Sequence, residues 1–441
     1  MGELKEEIES RKCTVGIVGL GHIGLPLAAI IAEKGFKVLG ADLNSGIVEA
    51  VNSGRAAVHE EGLQRLIKKG VRYGRLRATL NPSEAVEKSS IVLIVVQTPI
   101  KENNTPDLSP LKNACTEVSK ELKRGQLIII ESTLPPGATR EVITPPLEER
   151  GLRAGEDFYL AYSPERAMPT KTLDEIQSNA RLIGGINQES AEMAREFYKR
   201  ITKGELILAD IGTVEVVKLI ENTYRDVNIA LANEIAMFCE GLDVDALKAI
   251  TLANQHPRVH LHLPGAGVGG HCIPKDPKFI LNKAKELGIK LEVIEAARRV
   301  NDAMPRHVVR MIKQALESVN KGIEDSKIAI LGIAYKGDTD DVRGTPAKVI
   351  VEDLLESRSF VYSHDPYVKQ DFGGRFSNDL EKVVSKSDCV VVVTDHSLYK
   401  SLDLKELAKQ LKTPSVIVDA RRILDPERVK GHGLGYFGVG Y

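Results

Sequence analysis

The 441-residue chain carries 60 basic and 61 acidic side chains, for a formal charge of -1, with 42% hydrophobic and 27% charged residues. That length exceeds what one ordinary core serves, so two or three domains are expected, and the composition excludes a disordered chain beyond its first few residues. The balanced charge leaves no nucleic-acid footprint, no apolar run is long enough to span a membrane, and Met1 to Lys12 is too acidic and polar for a signal peptide. Five cysteines without a Cys-x-x-Cys pair argue against a disulfide scaffold or structural zinc and for a reduced, cytoplasmic compartment.

Cys13 to Leu20 reads as an apolar strand running into Gly19-Leu-Gly21-His22-Ile23-Gly24, and Leu25 to Ala32 has helical character. The next strand, Lys37 to Ala41, ends at Asp42. Strand, glycine turn, helix, strand and acid is the order a dinucleotide site demands. Gly19 permits the turn, Gly21 admits a pyrophosphate, Gly24 lets helix and strand pack, and the helix amino end supplies partial positive charge. Asp42 suits a ribose 2'-hydroxyl and would repel a 2'-phosphate, so NAD is expected over NADP.

Gly54 to Arg77 reads as helix and loop on the sheet rim. Ile91 to Val96, a continuous apolar run, is expected to be a covered parallel strand delivering Thr98 and Pro99 at its carboxyl end. Leu108 to Leu122 reads as a helix, and Gln126 to Ile130 as a strand followed by Glu131, Ser132, Thr133 and Pro-Pro-Gly. Those residues suit a capped turn, but two strand ends bearing threonine also suit contact with cofactor or substrate. Phe158 to Tyr162 ends in Ser163-Pro-Glu165-Arg166, which is either a weak surface pair or a grip on a polar substrate. Arg181 to Gly185 and Glu205 to Ala209 are further strands around a helix from Glu189 to Arg200.

From Thr213 the pattern turns helical. Glu215, Lys218 and Asn222 share one face of a helix that continues to Glu240, and polar residues within an apolar helix need partners or a function. Leu247 to Leu252 is a short helix, and Asp276 to Leu287 and Leu291 to Ala303 are longer ones. Between them lies Gly265-Ala-Gly-Val-Gly-Gly-His271-Cys272-Ile-Pro-Lys275-Asp276. Its small residues bring the backbone to a side-chain-free surface ahead of a thiol, and Pro274 stiffens the turn. A lone cysteine is commonly a buried hydrophobe; one set among Gly, Pro, His, Lys and Asp suits a nucleophile. His256, His260, His262, His271 and Cys272 invite a zinc reading. No His-Glu-x-x-His-like pair is present, and Lys275 and Asp276 explain the thiol otherwise, so no metal is expected.

A third unit begins near Asp325. Strands at Lys327 to Ile333, Phe360 to Ser363, Cys389 to Val393 and Ser415 to Asp419, with a helix from Ala347 to Glu356, make a second open α/β sheet. Asp365, Thr394, Asp395 and Asp419 mark its strand ends. It lacks Gly-x-Gly-x-x-Gly, so it is assigned the nucleotide part of a substrate, held by Lys336 and Arg343. The fold class is thus α/β, with two Rossmann-like open parallel-sheet domains joined by a central helical domain, divided 1–212, 213–320 and 321–441.

The glycine fingerprint, Thr98-Pro99, Glu131-Ser-Thr133-Leu-Pro-Pro-Gly137, Ser163-Pro-Glu165-Arg166, Glu215-Val-Val-Lys218-Leu-Ile-Glu-Asn222, the Cys272 loop and Lys336-Gly-Asp-Thr-Asp-Asp-Val-Arg343-Gly-Thr-Pro together resemble the UDP-glucose/GDP-mannose dehydrogenase family, from residue 12 to 441. Gly-Gly-His-Cys-Ile is similar to the branch acting on UDP-N-acetylhexosamines, and Ala253-Asn-Gln-His256-Pro-Arg258-Val to the UDP-N-acetyl-D-mannosamine 6-dehydrogenases. Pro169 stands where UDP-glucose enzymes carry a second glutamate, while Ala266 and Lys275 depart from the mannosamine pattern.

The resemblance implies NAD-dependent, four-electron oxidation of the C6 hydroxyl of UDP-N-acetyl-D-mannosamine to the uronate. Cys272 forms the thiohemiacetal and thioester, Lys218 and Asn222 stabilise oxyanions, and Asp276, with Thr133 and Glu165, handles protons and water. It gives the cofactor Gly19, Gly21, His22, Ile23, Gly24, Asp42, Thr98, Thr133, Lys275 and Arg343. It gives the substrate Glu165, Arg166, Lys218, Asn222, Arg258, His260, Gly269, Tyr335 and Lys336. Arg258 reaching in from a neighbouring subunit implies a homodimer, or a dimer of dimers, built on the helical domain. Competing readings are a two-electron dehydrogenase, a UDP-N-acetylglucosamine or UDP-glucose 6-dehydrogenase, and a nucleotide-sensing protein without activity, which would have no need of the thiol.

Overall fold

The computed structural model describes residues 2–58, 60–168 and 171–441; Pro169, singled out above, lies outside the described residues. The chain forms two compact units, residues 1–220 with 278–287, and residues 221–277 with 288–441. Among the described residues no helix is long and apolar enough to cross a membrane.

The first unit is built on an eight-stranded sheet of β1 (Thr14–Val18), β2 (Lys37–Ala41), β3 (Leu76–Thr79), β4 (Ile91–Ile94), β5 (Leu127–Ile130), β6 (Tyr159–Tyr162), β7 (Arg181–Gly185) and β8 (Leu206–Asp210), in the order 3-2-1-4-5-6-7-8. Reversal of strand order between β1 and β4 opens a crevice at the strands' carboxyl ends. The central strands β4 and β5 are buried along their whole length, as expected for a parallel sheet covered on both faces. The expectation of an all-parallel sheet fails at one pairing, because β7 runs antiparallel to β6. Gly54 to Arg77 holds the expected helix, Leu63–Arg72, and, beyond what the sequence suggested, the start of the edge strand β3. That strand is short, pairs only with β2 as the sheet's edge, and still buries Leu76, Ala78 and Thr79. Residues Gly2–Ser10, unassigned from sequence, form a helix that buries Leu4 and Ile8.

The second unit carries a six-stranded, all-parallel sheet. Its strands are β9 (Lys327–Leu331), β10 (Phe360–His364), β11 (Arg375–Phe376), β12 (Cys389–Val392), β13 (Val416–Asp419) and β14 (Gly435–Gly438), ordered 11-10-9-12-13-14. Without the glycine fingerprint it still repeats the first sheet's turn. Gly19 N donates to Ala41 O at 2.8 Å and Leu20 N to Asp42 Oδ2 at 2.8 Å. In the second sheet Gly332 N donates to His364 O at 2.9 Å and Ile333 N to Asp365 Oδ2 at 2.7 Å. Both glycines have φ of 100°, a conformation only glycine adopts without strain.

The chain first passes from one unit to the other within the helix Ile211–Glu240, and it crosses again at 277/278 and 287/288. The helix expected to stop at Ala303 instead spans Glu292–Glu317 with Pro305 inside it. Val308, Met311, Ile312, Ala315 and Leu316 are buried beyond the proline, and that apolar stripe outweighs the one hydrogen bond the ring removes. The helix is fixed to its neighbour by a buried polar cluster. Arg298 Nη1 pairs with Asp226 Oδ1 at 2.5 Å, and Asn301 Nδ2 donates to the same oxygen at 2.8 Å. Removing one partner strands a buried charge, so Arg298→Ala should destabilise the second unit by about 3–5 kcal/mol. That is readable as a lowered midpoint of the matching transition in differential scanning calorimetry; an unchanged midpoint would show the pair to be dispensable.

Candidate active site

At the dinucleotide turn the three glycines separate by cause. A Cβ on Gly19 would lie 2.4 Å from Val95 O, and one on Gly24 would lie 1.9 Å from Gly19 O. The fold itself therefore forbids side chains there. A Cβ on Gly21 would meet nothing within 4 Å, so packing does not explain that glycine. It faces space at the amino end of the helix Gly24–Glu33, whose N-cap residue Ile23 supplies no side-chain cap; His22 is exposed and Ile23 half-buried beside it. An anionic pyrophosphate fits such a cradle. Asp42 stands half-buried at the end of β2, its Oδ1 accepting from Asn44 N at 2.9 Å while Oδ2 holds Leu20 N. Both carboxylate oxygens keep capacity for a ribose hydroxyl.

Strands β4 and β5 bring their threonines together as expected. Buried Thr98 donates from Oγ1 to Thr133 O at 3.0 Å, and Ser132 Oγ both accepts from Val96 N and donates to Val96 O. One turn later, Glu215 of the long helix accepts from Gly137 N, Thr139 N and Thr139 Oγ1 at 2.5–2.8 Å. The sequence sets Glu215 on one helix face with Lys218 and Asn222. Its carboxylate is instead committed to the turn after β5, because a fully buried carboxylate must collect donors. Burial raises its pKa, with the Thr139 and Gly137 donors pulling it back.

Lys218, one turn further along, is 6% exposed, and no hydrogen bond or ion pair engages it among the described residues. An ammonium held there without a carboxylate is costly unless something anionic visits. Glu165 Oε1 accepts from Arg166 N and Ala167 N at 2.6 and 2.7 Å, while Oε2 takes Arg181 Nη2 at 2.8 Å. Arg166 itself donates to Ala180 O. The weak surface pair between Glu165 and Arg166 is thus corrected: the carboxylate binds the Arg166 backbone and the side chain of Arg181, a residue the sequence reading passed over as part of a strand.

In the second unit, Asn222 Nδ2 donates to Asp276 Oδ2 at 2.6 Å. Asp276, fully buried at the first turn of the helix Asp276–Glu286, has its N–H on Cys272 O at 2.9 Å, and Lys275 N bonds the same carbonyl. Cys272 is exposed whereas the other four cysteines are buried. Burial pushes the Cys13 and Cys115 thiols up to about 12, which leaves them inert. His271 is driven down to about 4 by burial, then by the charges of Lys275 and Arg343, so a neutral ring precedes the thiol near pH 7.

The thiol loop is stitched to the segment after β9. Gly270 N donates to Arg343 O at 2.8 Å, and a Cβ on Gly270 would strike the Tyr335 ring at 2.9 Å. Gly269 lies equally close to Tyr335, and the Arg343 side chain is held by Asp341. Lys336 follows Tyr335, half-buried in the same segment. Arg258 and His260 are exposed on a loop pinned through its backbone: Asn228 accepts from His262 N and donates to His260 O, and Asn254 exchanges two bonds with Leu261. Nothing in the local sequence marks either asparagine as a loop anchor, since their partners are set by the fold. Among the described residues no three His, Cys, Asp or Glu side chains gather as a metal set.

Known proteins align with this chain along nearly all of it. The family models for the NAD binding, central and UDP binding domains of the UDP-glucose/GDP-mannose dehydrogenase family match residues 13–202, 212–303 and 329–426. The UDP-N-acetyl-D-mannosamine dehydrogenase of Pyrococcus horikoshii is 41% identical over 97% of this chain and 99% of its own, and its solved structure superposes with a TM-score of 0.91. An NDP-N-acetyl-D-galactosaminuronic acid dehydrogenase from Methanosarcina mazei is 34% identical over 100% of this chain and 98% of its own, with a TM-score of 0.86. A UDP-glucose dehydrogenase from Pyrobaculum islandicum reaches the same TM-score of 0.86 at 26% identity, over 97% of this chain and 98% of its own.

The glycine contrast gives a direct test. Gly21→Ala should leave the melting temperature within about 1 °C yet weaken NAD binding at least about tenfold by calorimetric titration, whereas Gly24→Ala should destabilise the fold itself. Unchanged NAD affinity in Gly21→Ala would remove the cradle assignment.

Proposed function

The chain belongs to the UDP-glucose/GDP-mannose dehydrogenase family, and from that premise we propose that it oxidises C6 of UDP-N-acetyl-D-mannosamine to the carboxylate, using NAD twice without releasing the aldehyde. The observation that carries this is Cys272, the exposed thiol of five, on a loop whose Gly270 is forced by Tyr335 and whose carbonyl turns directly into Asp276. Support for the mannosamine substrate comes from the Pyrococcus horikoshii relative's name and similarity, together with the Gly-Gly-His271-Cys272 and His256-Pro-Arg258 sequences.

The Gly19–Gly24 turn, Asp42 and Thr98 would hold NAD, which would supply the hydride acceptor for both oxidations. The chain's own groups do the rest. Asp276, held by Asn222, is the group assigned to exchange a proton with water or the C6 hydroxyl. Lys218 places a fixed positive charge for the oxyanions that form when the alcohol and thiohemiacetal ionise. Cys272 adds to the aldehyde carbon, so the second oxidation leaves a thioester in place of free aldehyde. Water then attacks the thioester carbonyl: the C–S pair returns to Cys272 as thiolate, one water proton passes to Glu165, and the other leaves as the acid ionises. Thr133, beside Thr98, orients that water. Lys336, Tyr335, Gly269 and Arg343 belong to the UDP-binding side, with Arg166, Arg258 and His260 completing the sugar site; Lys275 flanks the cofactor.

The functional unit is proposed to be a homodimer built on the long helix. Val216, Ile220, Tyr224, Leu231 and Phe238 lie at intervals of four and seven on that helix, and all are exposed. A stripe of this kind on a water-facing helix marks an interaction surface. The reduced cysteines fit the cytoplasmic location proposed with it.

With UDP-N-acetylmannosamine, the enzyme should yield two NADH per sugar, and Cys272→Ser should lose net acid formation. Undiminished NADH yield from the serine variant would sink the covalent route, and higher kcat/KM for another UDP-hexose in the same panel would reassign the sugar. Leu231→Asp should shift the sedimenting species from dimer to monomer and abolish turnover, since Arg258 is expected to serve the neighbouring site; an active monomer would refute that assembly.

A further inference from the structure

We propose that Arg181 is a positioning residue for Glu165 in thioester hydrolysis, an inference that rests on the hydrolytic role just given to Glu165. The starting observation is the lone antiparallel pairing of the first sheet. Ala161 faces Gly185 and Tyr162 faces Gly184; carried forward, that register sets Arg181 opposite Glu165, just beyond the carboxyl end of β6. A parallel β7 would have placed its first residue at the opposite edge of the sheet. The reversal therefore delivers a guanidinium to the edge where ligands bind.

The arginine is itself built in. Its side chain is 6% exposed; Nη2 donates to Glu165 Oε2 at 2.8 Å and Nη1 to Glu131 Oε1 at 3.3 Å. The guanidinium stacks 4.5 Å over the Tyr198 ring, and Tyr198 OH donates to the same Glu131 oxygen at 2.5 Å. Two carboxylates thus share one guanidinium, and three donors fix the plane of Glu165. A buried charged cluster stabilises no more than well-packed apolar residues of the same volume, so its place at the ligand edge calls for another reason.

A hydrolytic base supplies that reason. Glu165 must be ionised and aimed, yet basic enough to take a proton from water. A guanidinium alone would orient it and weaken it as a base. Glu131 Oε1 takes the other arm of the same guanidinium, through Nη1, and is itself held by Tyr198 OH. The cluster therefore orients Glu165 without committing the whole guanidinium to it. The step Glu165 serves forms a C–O bond and breaks the C–S bond with no change of oxidation state, and Arg181 gives up no proton in it.

The test compares Arg181→Met and Arg181→Lys with the unaltered enzyme. Rapid-mixing NADH traces, intact mass after acid quench, and melting curves are read on each. The methionine variant should lose at least about tenfold in kcat with KM for the sugar falling alongside it, so that kcat/KM stays within about threefold, and show a burst of about two NADH per site before a slow steady state. Its quenched form should carry the thioester mass, and lysine should recover part of the rate. A merely structural role would lower melting temperature and active fraction together, with no burst and no adduct. That outcome, an unchanged kcat, or a lysine variant no better than methionine overturns the assignment. Should the methionine variant fail to fold, the lysine variant decides, its slowed turnover arriving with the adduct or without it. Failure of the underlying reading is distinguishable: the unaltered enzyme would then not give two NADH per sugar.

Discussion

The long helix Ile211–Glu240 must bury polar groups along one side, and much of the molecule is arranged to satisfy them. Glu215, Asn222, Asp226 and Asn233 are each at most 8% exposed. Glu215 takes the donors of the turn after β5; Asn222 meets Asp276; Asp226 meets Arg298 and Asn301. Asn233 bonds Asn301 and, through its oxygen, Gly265 N at the first residue of the thiol loop. A buried polar group left alone costs about 1–3 kcal/mol, so each pairing fixes a segment that glycine-rich sequence would otherwise leave loose. Lys218 is the member of this stripe without such a partner among the described residues, which is why an ammonium there suits an anion that comes and goes.

The two sheets solve a second problem in the same way. At the end of β2 and of β10, an aspartate receives backbone N–H groups from the turn after the neighbouring first strand. In the second unit, burial would raise Asp365, but His396 and the backbone donors outweigh it and hold the carboxyl at about 2. The repeated device shapes a strand-end crevice in each unit by backbone geometry, which explains how the second sheet does without the glycine fingerprint.

Much of this was legible in one dimension. Lys37–Ala41 and Arg181–Gly185 form strands with the expected ends, since apolar β-rich runs bounded by turns have few other uses. The long helix, the thiol loop and the dinucleotide turn also stood where periodicity and glycine spacing put them. What escaped was residue chemistry set by distant partners. Glu215 shares a helix face with Lys218 and Asn222 in the sequence, yet its carboxylate clamps the turn after β5. The helix expected to stop at Ala303 runs on past Pro305 because buried Met311 and Leu316 carry it. Arg181 looked like any strand residue.

The sequence by itself determined the strand-turn-helix order, the cofactor class through Gly21 and Asp42, and the candidate nucleophile, because local spacing alone dictates which backbone can curl around a phosphate or present a thiol. Only the tertiary structure decided which polar side chains hold loops and which stay available. It also decided that β7 reverses, bringing Arg181 to Glu165. Hydrogen-bond satisfaction and strand direction depend on partners 16 to 76 positions away along the chain, and no local pattern encodes those.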